Sequence, residues 1–219
     1  MVWVLNVNKG PIKKITTLRS MSKIFLATRN KYKEKQFSYL LKDTGIDIVT
    51  ITEYGFKESP DEDGLTAREN ALLKARFWVR RSGLPTLADD AGLEVDALNG
   101  EPGVKARRWG GRFPDDVSDE EWLDYLLERM KGIPFSRRTA LYRAAWALVL
   151  PNKKEYVRDI KLKFIILKEP KRGYSLGSPM SAVRYFPEYG KVENELTEKE
   201  QWEELYREMK GFDIPSKIR

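Results

Sequence analysis

Among its 219 residues the chain has no histidine and no cysteine. Those absences exclude Ser-His and Cys-His nucleophiles, zinc sites built on imidazole or thiolate, and disulfides. Proton transfer falls to Asp, Glu, Lys or Tyr. A bound metal would be a hard ion with oxygen ligands, Mg²⁺ or Mn²⁺. No apolar run reaches the roughly 18 residues of a membrane helix. Asn6, Asn8 and Lys9 interrupt the N-terminal run, so it lacks a signal-peptide core. The expectation is a soluble, cytoplasmic protein with no membrane partner. Glutamine is scarce too, with only Gln36 and Gln201 in a highly charged chain, a composition that leans towards a thermophile.

What the chain has in excess is positive charge, a net +7. Such a surplus suits a polyanionic small substrate, a nucleic-acid surface, or simply a solvated basic exterior. Nothing but charge suggests nucleic acid, so a nucleic-acid partner is not expected; strongly salt-dependent binding would be its signature.

The chemistry concentrates in Leu87-Ala88-Asp89-Asp90-Ala91-Gly92-Leu93-Glu94-Val95-Asp96-Ala97-Leu98. Two adjacent carboxylates stand at the end of an apolar run, where burial is costly unless they are paired or bind a cation. In an extended strand Asp89 and Asp90 point to opposite faces. If both serve one site the pleat must break, and Gly92 permits a bend. The alternation that follows, Leu93, Val95 and Ala97 against Glu94 and Asp96, reads as a half-buried strand.

Strands and helices alternate around this segment, as an α/β fold requires. Residues 1–20 read as an N-terminal extension, with Met21 as an alternative start, and residues 21–219 as one domain. Helices are expected over about 31–42, 66–81, 118–130 and 197–210. Thr66/Glu69, Ser118/Glu121 and Thr197/Glu200 have capping-box spacing, and Gly83 is a stop signal. Residues 139–150 and 155–167 form a long hairpin, with Ile160, Leu162, Phe164 and Ile166 on one face.

Three further segments can bind anions or cations. The run Ile24–Ala27 leads into Thr28-Arg29-Asn30-Lys31-Tyr32-Lys33 and a helix, a strand–turn–N-terminus arrangement suited to phosphate. Asn30 as a simple helix cap is the plain alternative. Glu62 sits in an acidic loop, and Lys74 falls by helical period among Ala71, Ala75 and Trp78. Gly103–Gly111 gathers Lys105, Arg107 and Arg108 after the carboxylate strand.

Together these residues resemble the Ham1 family, the inosine triphosphate pyrophosphatases. The resemblance runs from Ile24 to about Gly111. It includes Thr28-x-Asn30-x-x-Lys33, Glu69-Asn70-Ala71 with Lys74-Ala75, and Gly83-Leu84-Pro85. It continues through Ala88-Asp89-Asp90-x-Gly92-Leu93, Glu94-Val95-Asp96-Ala97-Leu98, Pro102-Gly103-Val104 and Arg108. The resemblance implies a mixed α/β fold, an elongated twisted sheet with flanking helices in two lobes around a nucleotide cleft, usually as a homodimer. It implies hydrolysis of a nucleoside triphosphate to monophosphate and pyrophosphate with Mg²⁺ or Mn²⁺, clearing inosine and xanthosine triphosphates. Carried over by position, Thr28, Asn30 and Lys33 hold the triphosphate, and Lys74 contacts phosphate or the metal's surroundings. Glu62, Asp89 and Asp90 bind metal, with Asp90 also the general base.

The last third departs from the family pattern. An expected aromatic-Gly-aromatic-Asp-Pro motif is replaced by the sequence from Gly177 to Phe186, with Ala182 near the place of the aspartate. Pro187-Glu188-Tyr189-Gly190-Lys191 recovers the register, so Lys191 matches a family lysine. The expected Ser-His-Arg becomes Leu205-Tyr206-Arg207, retaining Arg207. Lys191 and Arg207 are therefore carried over as substrate-binding residues. In the family the missing elements read the purine base, so a shifted base preference is expected, with Tyr185, Phe186 or Tyr206 available for stacking. The competing reading is a catalytically silent relative that binds nucleotide or a protein partner.

Overall fold

The computed structural model describes residues 22–114, 116–171 and 173–218. The extension read over residues 1–20 lies outside the described residues, as does Met21.

In chain order the main elements are β1 (Ser22–Leu26), α1 (Lys31–Leu41), β2 (Ile46–Thr50), α2 (Ala67–Ser82), β3 (Thr86–Val95) and β4 (Pro102–Gly103). They continue with α3 (Asp119–Arg129), β5 (Thr139–Val149), β6 (Glu155–Ile166), β7 (Arg184–Phe186), β8 (Lys191–Val192), α4 (Glu198–Phe212) and α5 (Ile214–Lys217). One mixed sheet has the order β2-β1-β3-β5-β6-β7-β8, with β4 paired to β3. β1 runs parallel to both β2 and β3, and the remaining pairs are antiparallel.

Local signals place the helices where the sequence puts them. Thr66 and Thr197 form complete capping boxes with Glu69 and Glu200, and Gly83 ends α2 in the left-handed conformation at φ 68°. Ser118 supplies only the forward half, accepting from the Glu121 amide.

The long strands β3, β5 and β6 carry two packing regions. At one end α1 and α4 cover one face through Phe37, Leu40, Trp202 and Leu205, which meet Trp146 and Leu148. On the opposite face α2 packs Ala71, Ala75 and Trp78 against Ala145 and Ala147 of β5. Alanines on both partners let helix and sheet approach closely, and burial on two faces explains the nearly continuous apolar run in β5. At the other end Leu93, Val95, Phe164 and Ile166 pack with Trp122, Leu126 and Met130. A sheet shared by two lobes is therefore the observed architecture.

β3 runs straight through its carboxylates. Its pairing to β5 is regular from Thr86↔Val149 to Val95↔Ala140, including Asp89↔Trp146 and Asp90↔Ala145. The expected break of pleat does not occur. Gly92 serves close approach instead: a Cβ there would lie 2.8 Å from the Gly103 carbonyl oxygen and 3.0 Å from Val104 Cα. The strand also stops at Val95, and residues 96–98 form a 3₁₀ turn.

Arg138 joins the second lobe. It is 2% exposed and donates to the carbonyl oxygens of Ile166 (2.7 Å), Met130 (2.6 Å) and Leu167 (2.8 Å). Replacing it strands three acceptors in a region closed to water. Arg138→Met should destabilise the protein by about 3 kcal/mol in denaturant unfolding, a large single-site effect; a loss below about 0.5 kcal/mol would contradict this role.

Candidate active site

The sheet contains a gap that makes the site. On one edge of β3, β1 pairs only through Phe25↔Thr86 and Leu26↔Leu87, and β4 pairs only with Leu93 and Glu94. Between Leu87 and Leu93 that edge has no partner strand among the described residues. A cleft of about 1530 Å³ opens there, lined from both lobes. It lies beyond the carboxyl end of β1, where α1 and α2 depart to opposite faces, the usual crevice of an open α/β sheet.

Because β3 keeps its pleat, its carboxylates divide. Asp89 faces α1, where Lys33 Nζ stands 2.9 Å from its Oδ1. Asp90 faces α2, where Lys74 Nζ lies 2.7 Å from Oδ1 and Asn70 Nδ2 lies 3.3 Å from Oδ2. Lys74 also reaches Glu62 Oε2 at 3.1 Å, and Asn70 accepts from the Gly64 amide at 2.8 Å. The acidic loop is thus tied to the helix that holds Asp90.

These contacts sort the carboxylates expected to bind metal. Glu62 and Asp90 converge on one cationic nitrogen at the cleft, which marks a point where two carboxylate oxygens demand positive charge. That donor set fits a divalent ion held by one or two carboxylates plus substrate phosphates. Asp89 does not join them. It is on the other face, absent from the cleft lining, and serves as the counter-ion of Lys33. Among the described residues no group of three or more metal-ligating side chains converges.

The turn before α1 is also more committed than its motif suggests. Asn30 Oδ1 caps the helix by accepting from the Tyr32 and Lys33 amides at 2.9 and 3.3 Å. Its Nδ2 donates to the Gly177 carbonyl at 2.9 Å, across to the rewritten loop. Thr28 Oγ1 accepts from the Asn30 amide at 3.1 Å, and Thr28 is not in the cleft lining. Both residues shape the turn. The amides of Arg29 and Lys31 are left without hydrogen-bond partners among the described residues, at the positive end of α1. Lys33 lines the cleft beside them. Burial pulls its pKa down, but Asp89, then Tyr142 and Asp90, outweigh that and hold it above the ordinary lysine value. Lys33 is therefore a permanent cation.

The basic segment after β4 lines the cleft through Lys105, Arg107 and Arg108, with Arg107 held by Asp119 at 2.6 Å. Lys191 and Arg207 lie elsewhere. Lys191 pairs with Glu200 at 3.0 Å, and Arg207 lines a separate pocket of about 110 Å³. Of the three aromatics considered for stacking, Phe186 lines the cleft. Tyr185 meets Phe135, and Tyr206 meets Tyr39 and hydrogen-bonds Asp43. Two residues assigned no role from the sequence matter here. Asn70 holds Asp90, and Arg29 ties the acidic loop by donating to Ser59 Oγ (2.8 Å) and the Glu58 carbonyl (2.7 Å). Asn70 lay within the Glu69-Asn70-Ala71 match to the family, which was the available signal.

A gap in a mixed sheet that offers a helix N-terminus, clustered cations and converging carboxylates suits a phosphorylated ligand and a cation. The chain belongs to the Ham1 family, whose description matches residues 24–202. It is 38% identical over 187 residues to the dITP/XTP pyrophosphatase of Yersinia pseudotuberculosis, covering 83% of this chain and 90% of that one. It is 38% identical over 179 residues to the Thermus thermophilus dITP/XTP pyrophosphatase, covering 82% and 83%. The crystal structure of the Mycobacterium abscessus dITP/XTP pyrophosphatase superposes with a TM-score of 0.63 at 34% identity, covering 84% of this chain and 94% of that one. A Coxiella burnetii HAM1 protein gives 0.70 at 29% identity, covering 87% and 100%.

The division of the two aspartates is testable by stability. Asp89→Asn leaves the Lys33 ammonium without its buried partner and should cost about 3 kcal/mol in denaturant unfolding. Unchanged stability together with a raised Mg²⁺ requirement would instead make Asp89 a metal ligand.

Proposed function

We propose that the protein is a metal-dependent nucleoside triphosphate pyrophosphohydrolase, acting on inosine- or xanthosine-type triphosphates or a shifted base set in nucleotide-pool cleansing. The observation that carries this reading is the convergence of Glu62 and Asp90 at a cleft also lined by Lys33 and the first turn of α1. The dITP/XTP pyrophosphatase relatives support it.

In this reading the triphosphate lies against the α1 N-terminus, with Lys33 and Lys105 neutralising its oxygens. Glu62 and Asp90 would hold Mg²⁺ or Mn²⁺, which when bound neutralises phosphate charge. Asp90 orients a water and takes its proton, the task left to a carboxylate in a chain without histidine. The water oxygen bonds to the α-phosphorus as the α–β bridge breaks, releasing monophosphate and pyrophosphate. Lys74 and Asn70 fix the Asp90 carboxylate in place.

A single domain over residues 21–219, a homodimer and a cytoplasmic location belong to the same reading, carried by the family resemblance. Among the described residues no helix is long and apolar enough to cross a membrane.

The test is pyrophosphate release from inosine and xanthosine triphosphates. One pyrophosphate should appear per monophosphate, turnover should stop with a chelator, and Mg²⁺ or Mn²⁺ should restore it. Stoichiometric release of inorganic phosphate would overturn the reaction assigned. Nucleotide binding without turnover in folded protein would establish the silent relative.

A further inference from the structure

Glu62 reaches the cleft on a loop that has no main-chain support. Among the described residues, the main chain from 56 to 65 makes no hydrogen bond to another main-chain group. Side chains anchor the loop at both ends instead. At its far end Asn70 Oδ1 accepts from the Gly64 amide at 2.8 Å, and Glu69 Oε2 accepts from the Leu65 amide at 2.7 Å. At its near end Arg29 makes three hydrogen bonds. Nη1 donates to Ser59 Oγ at 2.8 Å, and Nη2 donates to the carbonyl oxygens of Phe56 at 3.0 Å and Glu58 at 2.7 Å. Arg81 also approaches Glu58, at 3.4 Å between exposed groups, a contact worth little. Between the two anchors stand only Pro60, Asp61, Glu62 and Asp63, and all four line the cleft.

Arg29 is itself placed by the helix that holds the site. Its guanidinium lies over the ring of Trp78, 5.7 Å from the centroid, and Trp78 is 1% exposed. Phe56, where the unsupported loop begins, packs against the same residue with ring centroids 5.3 Å apart. Asn70, Lys74 and Trp78 follow one another at i, i+4 spacing in α2 and so share one face of it. That row holds Gly64 and Asp90 through Asn70, Glu62 and Asp90 through Lys74, and Arg29 through Trp78. Asp90 is further fixed by the regular pairing of β3 with β5. The freedom that remains at this pair of carboxylates is that of Glu62.

We propose that Arg29 is a positioning residue that presets Glu62 opposite Asp90 for the divalent cation. This rests on the reading above, in which those two carboxylates hold the metal. Without Arg29 the unanchored span grows from residues 60–63 to residues 57–63. The extra chain entropy is then lost when the cation binds rather than when the protein folds. Ordering the loop in advance removes that loss from the binding step. A lysine cannot replace Arg29 in this task, because one compact ammonium cannot span a hydroxyl and two carbonyls as the guanidinium fork does. It does keep the charge. Arg29 lines the cleft, and a role as a bare cation facing phosphate oxygens would survive that replacement.

The experiment measures Mn²⁺ binding without nucleotide, from the spin-resonance signal of the free ion, in the unmodified protein, Arg29→Lys, Glu62→Gln and the double variant. The Mg²⁺ concentration giving half-maximal pyrophosphate release from inosine triphosphate is measured alongside. Arg29→Lys should weaken Mn²⁺ binding and raise the Mg²⁺ requirement, each by roughly three- to tenfold. Its kcat at saturating Mg²⁺ should stay within about threefold of the unmodified protein's, since the metal-loaded site is the same. In the Glu62→Gln background the lysine should weaken Mn²⁺ binding by less than about twofold further, because the group it positions is gone. Unchanged Mn²⁺ binding in Arg29→Lys overturns the proposal. An equal loss in both backgrounds also overturns it, since Arg29 would then act by a route other than Glu62. Mn²⁺ binding that is absent from the unmodified protein, or indifferent to Glu62→Gln, refutes the metal site and the proposal with it. If Arg29→Lys fails to fold, Ser59→Ala decides: losing one of the three bonds should weaken Mn²⁺ binding about two- to threefold, and no change refutes the proposal. If the unmodified protein releases no pyrophosphate, the pyrophosphatase reading fails on its own, and the Mn²⁺ titrations still decide the role of Arg29.

Discussion

Two neighbouring carboxylates on one straight strand, each paired to a lysine from a different helix, are the constraint on which the site depends. Asp89 and Asp90 are nearly buried, at 4% and 8% exposure, and a carboxylate at that depth must be paired or neutralised. The pleat of β3 sends them to opposite faces, so one lysine cannot serve both. Lys33 meets one from α1 and Lys74 the other from α2. Those helices lie on opposite faces because β1 sits between β2 and β3, with the two crossovers leaving in opposite directions. The charge arrangement is thus a consequence of strand order.

That strand order also supplies the cleft. β1 ends at Leu26 and β4 begins pairing only at Leu93, so the edge of β3 beside Asp89 and Asp90 remains open. The same interval receives the N-terminus of α1 and the basic run after β4. Anion-binding groups and carboxylates therefore meet at one gap without any strained backbone in β3. Asn30 links this gap to the second lobe through Gly177, whose amide in turn donates to Asp119 at 2.8 Å. The rewritten loop is thereby tied both to the turn before α1 and to the start of α3.

Much of the fold was legible because its signals are local. Thr66/Glu69, Thr197/Glu200 and Gly83 set helix ends, and alternation from Ile160 to Ile166 set the face of β6. Glu62, Lys74 and Asp90 were carried into the candidate site by the family resemblance, Lys74 also by its helical period, and the three meet at the cleft. Pairing across the molecule was not legible. Gly92 was read as a bend, whereas its lack of a side chain admits the Gly103 backbone. Asp89 was grouped with Glu62 because adjacency in sequence does not reveal which helix covers which face. Lys191 and Arg207 were carried into the cleft by position, but Glu200 and the α4 surface hold them outside it.

The account turns on Asp90 as the group that activates water, with Asp89 holding Lys33. The most direct measurement is kcat alongside nucleotide affinity for Asp90→Asn, in protein shown to be folded. The prediction is a fall in kcat of at least about a hundredfold with triphosphate affinity changed by much less, the pattern of a lost proton acceptor. A variant that keeps its kcat while losing only affinity would contradict the assignment of Asp90 as general base.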